Sequence, residues 1–520
     1  MNNNDFNAML EDEVFFGVDI GTTKSYVAYC ENGKAKVPND ITNGIPSLAW
    51  RDANGREWFC DEVERKNGLC DDPKNVWTSG KMHLADKQVV LSNHAYTPRY
   101  LMEKMVSRVL EVGANAIDEE AFVEMKPKTL VAGIPIRFTA GEKGEMLSIL
   151  EKCSNTKVLL VHEPVLAAIY NDSYIKHKGG SSIKKDRKVL VIDAGGGTTD
   201  IVVLTTNPNP NFENPEPYIP HHPAGHRVAG DDIDKITEEL ILEKLRQDPG
   251  NIKMEILENT AHYDRRRLRQ TAREAKEKLS SVEAYSFDVN GEECGSATVK
   301  ITRAEFEKRI EAMLSGLVSS AYLTLCKCEL DGDPDIDILL VGGTTNIPLF
   351  KRLVKKQFDW IPEERIYQRN AAMAIALGAA IYAQNPKIVS SKVAYGYGVN
   401  THINDGAKEV LRVMIPSVTR LPYTVSANFS TLDDLQTAAS FRVYEVYDTE
   451  EDATYIEMER GKMTSYCINH DFKSSVAKNT PIRLTITLTE DGVLNAMVED
   501  FLPEKHVYRE TFTLNGTRSC

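Results

Sequence analysis

No apolar run in this 520-residue chain is long enough to cross a bilayer. The densest small-apolar stretch, Ala371 to Ala383, falls short of the roughly 20 residues a spanning helix needs, and Gly378 interrupts it. Excess positive charge is missing too. Against 62 Lys and Arg stand 76 Asp and Glu, a net charge of −14, which argues against a nucleic-acid backbone or an anionic membrane as the main partner. Paired cysteines are also lacking: the nine present are scattered singly apart from Cys326 and Cys328, none has zinc-finger spacing, and they read as reduced structural thiols. The opening residues, MNNNDFNAMLEDE, hold acidic side chains and no apolar core. Residues 1–13 are therefore expected to form a flexible acidic arm rather than a secretory signal, and the location is expected to be cytoplasmic. No GxxxxGK[ST] loop or GxGxxG fingerprint opens a helix here.

What is present is a pair of stretches built alike. FFGVDIGTTKSYVAY, Phe15 to Tyr29, and VLVIDAGGGTTDIVVL, Val189 to Leu204, each carry an apolar strand to an aspartate, turn through Gly and Thr, and enter a second apolar strand. Each reads as a β-hairpin with a phosphate-sized turn. Glycine at Gly21, and at Gly195, Gly196 and Gly197, lets backbone N–H groups approach an anion within hydrogen-bond reach. Asp19 and Asp193 stand at strand ends, where a carboxylate lies close to a hydrated Mg²⁺. Asp193 and Asp200 flank three glycines and two hydroxyls, a cluster that packing does not require. One such hairpin reads equally as an ordinary glycine turn. Two of them, a domain's length apart, point to facing lobes that clamp a nucleotide.

A mixed α/β region runs from about Val14 to Asn385, its β-branched strands alternating with helical stretches such as Tyr100 to Val112 and Arg265 to Ser281. Residues 386–395 read as a linker. Beyond them come short alternating strands such as PIRLTITLTEDGVLNAMVED, Pro481 to Asp500, with Asp491-Gly492 as a hairpin turn and no helical segment following. Thr205 to Pro223, rich in Pro and Asn, cannot be a central strand and reads as an extended surface excursion. Its His221 and His222, with nearby His226, lack acidic or cysteine neighbours, so a solvated loop is favoured over a metal site.

A third glycine motif, ILLVGGTTNIP from Ile338 to Pro348, completes a set that resembles the actin and hexokinase ATPase superfamily. HEPVLAAIY, His162 to Tyr170, and AAMAIALGAAIYA resemble the crossing helices about which its lobes hinge. The closest resemblance is to the DnaK-type, seventy-kilodalton heat-shock chaperones. RRLRQTAREAKEKLSS, Arg266 to Ser281, is similar to that family's nucleoside-contacting helix, VAGDDID, Val228 to Asp234, to its glycine-acidic loop, and MIPSVTRLPYTVSANFST, Met414 to Thr431, to the opening of its peptide-binding β-sandwich. The resemblance implies an α/β fold: a two-lobed actin-like ATPase domain over residues 14–385, with lobes of about 14–185 and 186–385, followed by an all-β sandwich over 396–520 without a helical lid.

It also implies ATP or ADP and Mg²⁺ as cofactors, and site residues position by position. Asp19, Glu163 and Asp193 would hold the metal mostly through water, while Asp19, Asp193 and Asp200 organise metal and attacking water. Gly21, Thr22, Thr23 and Lys24 would face Gly195, Gly196, Gly197, Thr198 and Thr199 around the phosphates, with Thr198 also catalytic. Gly230, Asp231, Lys276, Ser280, Gly342, Gly343 and Asn346 would surround the nucleoside, and Glu163 would relay nucleotide state to Pro135. The family's essential lysine is best matched by Lys66, from its spacing to Pro73 and Lys81, although a solvated surface lysine fits that divergent segment equally.

Departures from the family pattern are plain. Glu277 and Asn346 occupy the positions of two arginines that sandwich adenine, and neither can replace guanidinium stacking. Lys143 stands for a relay arginine, Leu159 for an arginine that receives the J-domain co-chaperone, and the linker KIVSSKV, Lys387 to Val393, lacks docking leucines. Phe429 occupies a peptide-pocket position that could equally be sandwich core, with Ala439 and Leu432 altered beside it. The expected function is an ATP-hydrolysing, Mg-dependent chaperone that binds extended apolar peptides or unfolded protein, with a J-domain co-chaperone and a nucleotide-exchange factor as further partners. Two alternatives stand: a nucleotide-sensing interaction module with weak or lost cycling, and a small-molecule kinase of the same superfamily.

Overall fold

The computed structural model describes residues 15–513 except 32–33, 67, 69–71, 73–74, 85, 118–128, 137, 139, 178–186, 207–217, 260–262, 385–395, 404–406, 417–418, 420–421, 447–453, 490–493 and 502–506. The expected acidic arm, the linker, the Asp491-Gly492 turn and most of the Pro- and Asn-rich excursion lie outside the described residues.

The first glycine turn joins β1 (Phe15–Asp19) to β2 (Lys24–Glu31), antiparallel with Asp19 opposite Tyr26. Helix α1 (Pro98–Ile117) follows, then β3 (Thr129–Ile134), α2 (Ala140–Ser154), β4 (Lys157–His162) and α3 (Glu163–His177). The sheet runs β4-β3-β1-β2, then the short strand Lys34–Lys36, with β3 parallel to both β1 and β4. Met102, Met105, Val106 and Val109 recur at helical spacing along α1, and all four are buried against this sheet's core.

The second glycine turn joins β5 (Arg187–Ala194) to β6 (Thr199–Thr206), and β7 (Tyr218–His226) adds an outer antiparallel strand. Next come α4 (Gly230–Gln247), α5 (Tyr263–Leu279), α6 (Arg303–Lys327) and β8 (Ile336–Val341), parallel to β5. A capping box starts α6: the Thr302 hydroxyl accepts from the Glu305 N–H, and the Glu305 carboxylate accepts from Thr302. The order here, β7-β6-β5-β8 and then Ile366–Tyr367, repeats that of the first sheet strand for strand. The tail of the Pro- and Asn-rich segment is thus an ordered edge strand rather than an excursion. Pro220 and Pro223 sit there without breaking a central ladder, because an outer strand tolerates a missing N–H.

Helix α7 (Ala374–Gln384) crosses α3 between the two sheets. A Cβ on Gly378 would lie 1.9 Å from the Leu166 carbonyl oxygen, and one on Gly17 2.2 Å from the Ala380 nitrogen. Only hydrogen side chains permit this crossing. Residues from α3, α7 and both sheets share one apolar core, so the lobes meet through packed helices as the sequence led us to expect.

The last domain is a sandwich. β9 (Gly396–Ile403), β10 (Lys408–Ile415), β11 (Tyr423–Ser430), β12 (Gln436–Val446), β13 (Gly461–Val476), β14 (Pro481–Leu488), β15 (Leu494–Phe501) and β16 (Val507–Thr513) form two sheets, with Tyr455–Ile456 outside β10. Their orders are β10-β9-β12-β13 and β11-β14-β15-β16. Ile482, Leu484, Ile486 and Leu488 alternate inward against Val399, Phe441 and Ile468 of the facing sheet, as strand periodicity requires. No helix among the described residues is long and apolar enough to cross a membrane.

Candidate functional site

The two glycine turns meet at the mouth of a cleft of about 340 Å³ between the lobes. Their approach is close: a Cβ on Gly196 would lie 2.2 Å from the Thr23 hydroxyl oxygen. Turn geometry is held from behind. The Gly195 carbonyl accepts from the Gly230 N–H at 3.2 Å and the Thr344 hydroxyl at 2.7 Å, and the Gly196 carbonyl from the Asp231 N–H at 2.7 Å. With those carbonyls turned back into the second lobe and the Gly195 N–H donating to the Thr198 carbonyl at 2.9 Å, the N–H groups of Gly196 and Gly197 are the ones the turn can offer to an anion.

Carboxylates gather beneath the turns. Asp19 ends β1, Asp193 lies near the end of β5, Asp200 stands opposite Asp193 in the β5–β6 register, and Glu163 begins α3; all four are buried. Among the described residues, the one ammonium set amid them belongs to Lys81, whose Nζ is 2.5 Å from the Glu163 carboxylate. Burial pushes the Asp19 carboxyl up to about 7, with the Glu163 charge adding and Lys81 opposing. Asp193 is raised well above the usual carboxylate range, by burial first and then by Glu163, Asp200 and Asp19. Burial acts against the Lys81 ammonium, yet Glu163, Asp19 and Asp193 hold its pKa above the ordinary value. One ammonium does not compensate so many carboxylates, and a divalent cation fits the deficit. The carboxylate oxygens of Asp19, Glu163 and Asp193 are hard donors of the kind a hydrated divalent cation takes. The Thr23 hydroxyl, buried without a hydrogen-bond partner, faces the same space and suits a phosphate oxygen.

Most of the expected residues line this cleft: Asp19, Gly21, Thr22, Thr23, Lys24, Glu163, Asp193, Gly195, Gly196, Thr198, Gly230, Lys276, Ser280, Gly342, Gly343 and Asn346. Gly342 takes φ +83°, and a Cβ there would meet the Ala194 carbonyl at 2.2 Å. Asp200, Gly197, Thr199 and Asp231 stand behind the lining; the Thr199 hydroxyl donates to the Val228 carbonyl at 2.8 Å, and Asp231 accepts from the Ser79 hydroxyl at 3.1 Å across the cleft. Lys66 is a correction. It caps a short helix at the surface with its ammonium 5.1 Å from the Trp58 ring, outside the cleft, while Lys81 fills the buried position. The signal for Lys81 was its setting: VWTSGKM is apolar and glycine-turned, whereas DEVERK is mostly charged, with Glu64, Arg65 and Lys66 exposed.

At the nucleoside end, Glu277 and Asn346 both line the cleft. Lys276 is committed to Asp234 at 2.6 Å, and the Asn346 amide oxygen accepts from Gln368 at 3.3 Å. At the wall of the cleft, Pro135 accepts through its carbonyl from the His162 ring behind it; burial, then the Lys143 charge, lowers that imidazole to about 3. Lys143 on α2 is itself buried, its pKa lowered by burial and opposed by Glu445 of the sandwich strand β12. Lys143 thus lies within electrostatic reach of both His162 and the β-domain residue Glu445. In the sandwich Phe429 is half-buried against Phe441, ring centroids 5.0 Å apart, beneath the Arg412 guanidinium; Ala439 is buried and Leu432 exposed. His221 Nε2 lies 2.8 Å from the Thr205 hydroxyl and His226 Nε2 2.7 Å from the Ser320 hydroxyl.

Comparison with known proteins agrees with this geometry. A family model described as Hsp70 protein matches residues 157–511. The chaperone protein DnaK of Mycoplasmopsis agalactiae is 25% identical over 448 residues, covering 83% of this chain and 69% of that protein.

Proposed function

The chain belongs to the Hsp70 family, and from that premise we propose that it is an Mg-dependent ATPase whose nucleotide state governs binding of extended apolar peptides by its β-sandwich. Membership carries a chaperone-type, ATP-binding protein. The hydrolytic reading rests on one observation: buried carboxylates around a single lysine, where two glycine and threonine turns from opposite lobes touch.

In this reading the N–H groups of both turns and the hydroxyls of Thr22, Thr23 and Thr198 bind the β and γ phosphates. Bound magnesium supplies charge neutralisation on the phosphate oxygens. Asp19, Asp193 and Glu163 orient its water shell, Asp200 supports the carboxylate opposite it, and Lys81 offers its ammonium to the charge that develops on the transferring phosphoryl group. Glu163 and Pro135 pass nucleotide state outward, and Lys143 facing Glu445 gives that state a route into the β domain. Extended apolar peptides would lie near Phe429 and the exposed Leu432. A J-domain co-chaperone and an exchange factor belong to the same proposal.

The test is ATP turnover, with and without an unfolded apolar peptide, in the wild type and in Asp193→Asn and Asp200→Asn. The expected outcome is peptide-stimulated hydrolysis that falls by on the order of 10²-fold in each variant. Unchanged turnover in both variants overturns the catalytic assignment. Nucleotide binding without hydrolysis favours a second reading, a nucleotide-sensing interaction module, which the Glu277 and Asn346 positions support. A kinase of the same superfamily would leave the β domain without a role.

A further inference from the structure

A second cavity, of about 310 Å³, lies in the second lobe at the opposite end of its sheet from the nucleotide cleft. Lys188 opens onto it near the start of β5, six residues before Ala194, which places it roughly 20 Å along the strand from the glycine turn. Thr205 of β6 and His221 and His222 of β7 form a second wall, and the end of α6 with the turn after it, at Lys327 and Cys328, a third. The polar groups are already arranged: the Lys188 ammonium donates to the Thr205 hydroxyl at 3.3 Å, and that hydroxyl lies 2.8 Å from Nε2 of His221. Burial pushes the Cys328 thiol up to about 11 against the opposing pull of Lys188 and Lys327, and all three residues line the same space. Among the described residues a single carboxylate, Glu329, lines the cavity, in a chain whose overall charge is −14. A local excess of cationic side chains therefore stands against the general acidity of the molecule.

We propose that this cavity binds a small anion bearing a phosphoryl group. Lysine ammoniums act as strongly hydrated point charges that can meet a tetrahedral dianion from several sides, and Lys188 and Lys327 stand on different walls of the cavity. The Thr205 hydroxyl, set between the Lys188 ammonium and Nε2 of His221, and the His222 ring on the same wall are hydrogen-bonding groups of the kind that pair with phosphoryl oxygens. The volume sits at the lower end of small-ligand pockets, the size of a compact metabolite. The site is separate from the nucleotide cleft, so it neither requires nor replaces the ATPase reading.

Cys328 offers a local readout. Its alkylation by a maleimide is followed by peptide mass spectrometry, with Cys326, two residues away, as the internal reference. Inorganic pyrophosphate is the probe, against sodium chloride at matched ionic strength. Several-fold slower alkylation of Cys328 relative to Cys326 with pyrophosphate, little slowing with chloride, and loss of the effect in Lys188→Gln/Lys327→Gln are expected. Equal slowing by chloride, no slowing, or full protection in the double variant overturns the proposal. The chloride comparison is made on the wild-type protein, so it decides even if the double variant folds poorly.

Discussion

The two glycine turns share strand order, register and backbone role, yet they bring different charge to the cleft. The first lobe supplies Asp19 together with the Lys81–Glu163 pair, so its carboxylates arrive with a cation. The second supplies Asp193 and Asp200, face to face across one antiparallel register and with no ammonium of its own within the cluster. A repeated fold thus carries an unrepeated chemistry. Backbone geometry, which needs only Gly, Thr and alternating apolar residues, is duplicated; the partial compensation of charge comes once, from Lys81 of the first lobe, and reaches Asp193 only while the lobes are together. Electrostatic cost in the metal-free cleft falls on the aspartates of both lobes, and ligand binding relieves it.

The strongest way to break this asymmetry is to remove its single cation. Lys81→Ala is expected to lower Mg-dependent ATP turnover by on the order of 10²-fold or more, because a preorganised charge at the phosphoryl group is lost. Lys66→Ala should leave turnover within a few-fold of wild type. The reverse pattern in steady-state kinetics would return the role to Lys66.

A smaller effect is expected at the nucleoside end, which the second lobe builds from α5 and the Gly342 turn. Glu277→Arg places a planar cation where the carboxylate now lines the cleft. Titration calorimetry should show ATP binding tightened by about 0.5–2 kcal/mol. No gain, or a gain for another base in place of adenine, would mean that Glu277 does not lie over the ring.

The smallest effect, and the one that sharpens the comparison, is on stability. Without metal, burial and then the Glu163 charge push the Asp19 carboxyl of the folded protein up to about 7, against 3.8 for an ordinary aspartate. The native state therefore holds a proton that the unfolded chain has released between those values, so stability falls as pH rises through that window and is lowest above it. Asp19→Asn removes this dependence. Thermal melting should show the variant gaining on wild type by a few degrees above neutrality and little below the lower value. Added Mg²⁺ and nucleotide should stabilise wild type and not the variant. A melting difference independent of pH would place the Asp19 titration elsewhere.

The chain's local patterns carried most of the fold. Alternating apolar strands broken by Gly and Thr specified both hairpins, and small residues from Ala371 to Ala383 marked the crossing helix. The change of period after Pro386 marked the sandwich. These features are legible because hydrophobic periodicity and turn chemistry act between neighbours in sequence. The candidate site was readable to the same degree where its residues lie in the turns themselves. Reading failed at Lys66, where a spacing argument crossed a divergent segment, and at β7, where proline content hid an edge strand that tertiary pairing accepts.

Sequence by itself thus determined the hairpins, their glycine turns, the helix that must be small to cross another, and the acidic residues available to a metal. Tertiary structure alone decided which lysine meets those acids, because burial of an ammonium depends on whether carboxylates from distant strands converge to offset its desolvation. It alone brought Lys143 and Glu445 within electrostatic reach across some 300 positions of chain. It also gathered Lys188, His221 and Lys327 around one cavity, since charge on a protein acts through space, where folding puts it, and not along the chain.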